Sequence, residues 1–205
     1  MMLRLDHLAV VAGRLEDGVA LVEGLLGVPM AGGGKHPLMG THNRLVGMGE
    51  LYLEVIAVDP DAPAPRHARW FDMDSFMGPP RLANWVAGCD DLAAEVAMGP
   101  AAIGTPVALA RGDYRWQMAV PGDGRLPFDG GFPALIQWEG AVHPARALPE
   151  TGLRLARLEI AHPQAVALRA ALAGRMADPR VVVLDGPAVA LRATIDTPKG
   201  PLTLC

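Results

Sequence analysis

Apolar and polar residues alternate along Leu3–Val11. Leu8 and Val10 share one face of the strand this predicts, and His7, Ala9 and Val11 share the other. The spacing then lengthens to a helical period over Leu15–Leu26, where Leu15, Val19, Val22 and Leu26 form one stripe that Gly27 closes. Strands follow within Met30–Leu38, Thr41–Met48 and Leu51–Val58. In the last of these Leu51, Leu53 and Val55 face one way, and Tyr52, Glu54 and Ile56 face the other. The order is βαβββ, and packing of both apolar rows on the helix leaves His7 and Glu54 together on the opposite face.

The prolines of 59–80 break the pattern and define a connector, although Trp70, Phe71, Phe76 and Met77 keep that connector against the body of the protein. The order then restarts. A strand to Cys89, a helix over Asp91–Met98 and strands over Pro106–Ala110, Tyr114–Val120 and Pro133–Glu139 make a second βαβββ unit. After a second connector comes a third restart, with a strand over Leu153–Ala161, a helix over Pro163–Leu172 and strands over Val181–Leu184, Val189–Thr194 and Leu202–Leu204. The expected organisation is units at 1–58, 81–139 and 153–205, with connectors at 59–80 and 140–152. The fold class is α+β, with repeated βαβββ units forming curved mixed sheets around a cleft and helices on the outer face. The third unit places Arg157 over His7 and Cys205 over Glu54. It therefore lacks ligand-type residues at those places and is expected to be structural, with edge strands that offer a homodimer contact.

Composition narrows the function. The chain has 205 residues, 51% of them hydrophobic, and a net charge of -4, enough to bury a core and without the basic patch that nucleic acid or an anionic membrane surface requires. No run of about eighteen apolar residues offers a membrane span. Two cysteines make no disulfide framework, which points to a reducing, cytoplasmic setting and a small-molecule partner. The lone Ser75 has no nucleophile elbow, and Gly32-Gly33-Gly34-Lys35 departs from a phosphate loop at Pro29 and His36.

Leu5-Asp6-His7-Leu8, the helix ending Leu25-Leu26-Gly27-Val28 and Tyr52-Leu53-Glu54-Val55-Ile56 resemble the vicinal-oxygen-chelate superfamily. That group includes glyoxalase I, type I extradiol dioxygenases, fosfomycin-resistance enzymes and bleomycin-binding proteins. Lys35-His36-Pro37, Met39-Gly40-Thr41-His42-Asn43, Arg69-Trp70-Phe71 and Thr197-Pro198-Lys199-Gly200-Pro201 are similar to its bacterial glyoxalase-like domain family. The resemblance implies metal ligands at His7, Glu54, Trp85 and Glu139, from the first and last strands of paired units. Trp85 cannot bind a metal. His7, Glu54 and Glu139 remain, with His42 or His36 as replacement imidazole, a set open to Zn, Ni, Co, Fe or Mn.

Two functions stay open. One is a metal-dependent lyase, isomerase or ring-cleaving dioxygenase acting on a small oxygen-bearing metabolite, in which Glu54 or Glu139 is the general base. The other is a non-catalytic protein that sequesters a small apolar molecule. Tyr52, Trp85, Trp116 and His36 are candidates to line the ligand, and Arg115 to clamp an oxyanion.

Overall fold

A computed structural model describes residues 2–205. The first unit is β1 (Arg4–Val11), α1 (Leu15–Leu26), β2 (Ala31–His36), β3 (Thr41–Met48) and β4 (Leu51–Val58). The second is β5 (Arg81–Gly88), α2 (Leu92–Met98), β6 (Thr105–Arg111), β7 (Tyr114–Val120) and β8 (Ala134–Trp138). After the single-turn helix α3 (Pro144–Ala147) come β9 (Arg154–His162), α4 (Ala165–Leu172), β10 (Val181–Asp185), β11 (Ala190–Thr197) and β12 (Gly200–Leu204). The strands therefore fall where periodicity of two predicts them, with ends shifted by up to three residues.

One mixed eight-stranded sheet, β2-β3-β4-β1-β5-β8-β7-β6, carries both units. In each, the last strand lies parallel to the first, β4 beside β1 and β8 beside β5. The antiparallel pair β1 and β5 joins the halves at the centre. The edge strands β2 and β6 approach one another, so the sheet curls towards a half-barrel with a cleft inside.

Every strand thus has a back and a cleft face. Leu8, Val10, Leu53 and Val55 are buried on the back, where α1 packs on β4. Gly18 makes that contact possible, because a Cβ there would lie 2.5 Å from Val55 Cγ1. On the cleft face Val11, Ile56, Val86, Trp116, Met118 and Ile136 form a second apolar cluster, closed over by Trp70 and Phe71 from the 3-10 turn Trp70–Ser75.

The last segment forms its own four-stranded sheet, β10-β9-β11-β12, and β11 packs against β5 from behind. Leu155, Leu158, Ile160, Leu191 and Ile195 merge with the back core there. The strand and helix order is the expected one, but the pairing differs. The parallel neighbour of β9 is β10, the strand that directly follows the helix, as in a simple βαβ crossover. Because β12 pairs with β11 instead of β9, Cys205 does not stand opposite Arg157 as Glu54 stands beside β1.

Candidate functional site

The cleft is built around β1. A β-bulge between Leu5 and His7 leaves Asp6 as an extra residue in the pairing with β5, and so brings its carboxylate alongside His7 instead of onto the back face. Asp6 is buried, as are His7 and Glu54. Asp6 Oδ1 lies 2.6 Å from His7 Nδ1, while Oδ2 accepts from Trp138 Nε1 at 2.9 Å and meets His143 Nε2 at 3.2 Å. Burial alone pushes the Asp6 carboxyl up, but the hydrogen bonds from His143 and His7 outweigh it and hold the group well below its ordinary value. An ionised carboxylate only accepts, so His7 Nδ1 carries a proton and Nε2 is left facing the cleft.

His7 Nε2 faces Glu54 Oε2 at 3.7 Å, too long for a direct hydrogen bond and short enough for one ligand atom to touch both. Tyr52 stacks on the imidazole, with ring centroids 4.3 Å apart and planes at 13°. Burial first, then the charges of Asp6 and Glu54, raises the Tyr52 hydroxyl well above its ordinary value and keeps it a neutral phenol.

Asn43 organises the other side of Glu54. Its Nδ2 donates to Glu54 Oε1 and lies 3.4 Å from His36 Nε2. Its Oδ1 accepts from Arg111 Nη1 at 2.8 Å and from the Gly34 amide at 2.9 Å. His36 Nδ1 meets Thr41 Oγ1 at 3.0 Å. Burial, aided by the Arg111 charge, lowers the His36 pKa to about 3, so this ring is neutral and its Nε2 accepts from Asn43. Together these side chains and the apolar cluster enclose a cavity of about 30 Å³.

Of the residues singled out from sequence, His7, Glu54, Tyr52, His36 and Trp116 line this cavity. Four others do not. Glu139 follows the end of β8 and is exposed, its amide bonded to Arg115 O. His42 pairs with Ala57 on the back face, since its neighbour Asn43 takes the cleft side. Trp85 pairs with Leu8, is fully buried in the back core and donates to Gly131 O at 3.0 Å. Arg115 is exposed and turns its guanidinium onto the carbonyls of Gly112 and Tyr114. The second-unit residue level with His7 is Val86, and beside it on β8 are Ala134 and Ile136. Asn43, Asp6, Arg111, Trp138 and His143 are site residues that sequence reasoning passed over.

The donor set bears directly on the metal expected from the resemblance. His7 and Glu54 are suitable donors, but at the matching places on β5 and β8 the second unit offers only Val86, Ala134 and Ile136, and among the described residues no cluster of three or more His, Cys, Asp or Glu is arranged to hold an ion. The four-ligand centre does not fit this chain. Cys89 is no substitute, since burial pushes its thiol up to about 11 and its Sγ donates to Ile136 O. Among the described residues no helix is long and apolar enough to cross a membrane.

Paired βαβββ halves around a cleft, with His7 and Glu54 from the first and last strands of one half, define a vicinal-oxygen-chelate protein. More narrowly, the chain belongs to the glyoxalase-like domain family, whose model matches residues 5–175. A hypothetical protein from Staphylococcus aureus shares the fold at TM-score 0.64 and 14% identity, covering 92% of this chain and 88% of that one. Also matched are a Streptomyces coelicolor methylmalonyl-CoA epimerase in complex with 2-nitronate-propionyl-CoA (14% identity, 69% of this chain and 100% of that chain, TM-score 0.44) and the Mycobacterium tuberculosis epimerase (16%, 68% and 89%, 0.43). No curated protein matches the chain.

Proposed function

We propose that this protein binds a small, partly apolar molecule between its first two units, without a four-ligand metal centre. The observation that carries this reading is the division of the cleft. The first unit supplies a polar wall of His7, Glu54, Asn43 and His36, joined by Arg111 from the end of β6, and the second unit otherwise supplies Val86, Ile136, Met118 and Trp116. An amphipathic ligand satisfies both walls, its heteroatoms meeting the polar side chains and its hydrocarbon lying on the apolar ones. Trp70, Trp116 and Trp138 line the cavity, so binding is read from tryptophan fluorescence. Small aromatic ligands are expected to quench it saturably in excess EDTA, and less in Trp116→Ala. Quenching that appears only after a divalent metal is added would contradict the proposal.

A second reading, that the site also transfers a proton, is favoured by one arrangement. Asp6 fixes the His7 tautomer as an orienting carboxylate does in a catalytic triad, and Nε2 then shares a contact region with Glu54. Glu54 is placed to take a proton from an acidic C–H or O–H of the ligand, while the bare Nε2 of His7 accepts a hydrogen bond from a ligand hydroxyl beside it and so holds the ligand in place. For a bound ligand with an enolisable position, deuterium exchange from solvent is expected and should vanish in Glu54→Gln while binding persists. Unchanged exchange in that variant would remove the acid–base role.

A further inference from the structure

Two side chains at the cavity carry N–H bonds that no acceptor in the protein takes. The indole Nε1 of Trp70 is buried without a hydrogen-bond partner, in a residue only 4% exposed that lines the cavity. Arg111 reaches from the end of β6 across the cleft mouth to Asn43 on β3, where Nη1 meets Oδ1 at 2.8 Å. Its stem lies over Gly34, where a Cβ would sit 3.1 Å from Arg111 Cδ, and its guanidinium lies 5.5 Å from the Tyr114 ring. One of five guanidinium N–H bonds is thereby used, and among the described residues Arg111 makes no ion pair. A buried indole N–H left unbonded is costly, and a guanidinium with no carboxylate partner, lining the same cavity, matches the planar oxygens of a carboxylate.

We propose that the cleft selects ligands bearing a carboxylate, received by the free edge of Arg111 together with the indole N–H of Trp70. This rests on the small-molecule reading above and names its ligand class, a small organic acid with an apolar or aromatic body. Size agrees for the head group alone, since about 30 Å³ holds roughly two water-sized spheres, the bulk of a carboxylate. Charge fixes the side on which the head sits. Glu54 repels an anion, but its Oε1 is already occupied by Asn43, and Trp70 packs edge-on against His36 at 5.1 Å, the ring that Asn43 also contacts.

The test uses benzoate and its neutral isostere benzamide as probes, followed through the 15N-labelled indole resonances in excess EDTA, with Trp70→Phe identifying the Trp70 signal. The expected result is a saturable downfield shift of the Trp70 indole proton with benzoate, and affinity for benzoate at least about tenfold above that for benzamide. Arg111→Gln should abolish that preference and Arg111→Lys should retain part of it, while the indole spectra of both variants stay folded. Equal affinity for acid and amide, or an unchanged preference in Arg111→Gln, would overturn the acid class yet leave a small-molecule cleft standing. No saturable shift with either probe would overturn both.

Discussion

Asn43 is the residue on which the polar wall turns. Both amide hydrogens are directed at acceptors, Glu54 and His36, and the amide oxygen takes hydrogen bonds from Arg111 and Gly34. Exchanging oxygen and nitrogen would set N–H against N–H on one side and oxygen against carboxylate on the other, so the orientation is determined by its partners. Replacement by leucine leaves a buried carboxylate and a guanidinium without their neutral bridge. Asn43→Leu is therefore expected to lose about 2–4 kcal/mol in urea denaturation. Loss under about 0.5 kcal/mol, the scale of an ordinary surface substitution, would contradict the role assigned to it.

His36 makes a pH prediction at the same scale. Its folded pKa lies near 3 against an ordinary 6.5, so between these values the unfolded chain binds the proton and the folded chain does not. Stability is then fully present above about pH 6.5 and falls as the pH drops towards 3, by about 1.4 kcal/mol per pH unit at most. The urea midpoint should decline from pH 6.5 to 4.5, and His36→Gln should flatten the decline. The same slope in that variant would show that burial of His36 is not its source.

At the scale of the element, side-chain parity decided which expectations held. Strands, helix α1 and the facing rows of β1 and β4 follow from alternation and from the stripe Leu15, Val22, Leu26. Two misplaced residues were legible too, from hairpin length. The two-residue turn Gly49-Glu50 pairs Met48 with Leu51, which sets Leu45 opposite Glu54 and Asn43 opposite Ile56, and turns His42 to the back. Likewise Gly112-Asp113 pairs Arg111 with Tyr114 and Leu109 with Trp116, so Arg111 takes the cleft face and Arg115 does not. Trp85 and Asp6 were not legible, because the bulges between β1 and β5 change the parity and a bulge has no signal in this sequence. Packing of α1 gives a direct check. Gly18→Ala drives a methyl group into Val55 and is expected to cost about 1–3 kcal/mol, seen as a lowered melting temperature. An unchanged melting temperature would mean that α1 sits further from β4 than described.

Across the whole molecule, two units of the same strand order share one sheet but differ in the residues they turn to the cleft. The chain repeats a strand-rich unit around one central antiparallel pair, and that much was visible in its periodicity. The third segment took another pairing and became a cover for the back of β5, a difference that strand order alone could not reveal. The cleft kept its imidazole and carboxylate in one half, while the other half became Val86, Ala134 and Ile136. The expectation was an ion shared by His7 and Glu54 of one half and Glu139 of the other, whereas the register gives the second half Val86, Ala134 and Ile136 at those places and leaves Glu139 exposed. Elemental analysis of protein purified without chelator, beside His7→Ala prepared identically, tests this most directly. The account predicts less than one tenth of an equivalent, roughly, of any divalent transition metal in both proteins; one bound equivalent in the parent, lost in His7→Ala, would contradict it.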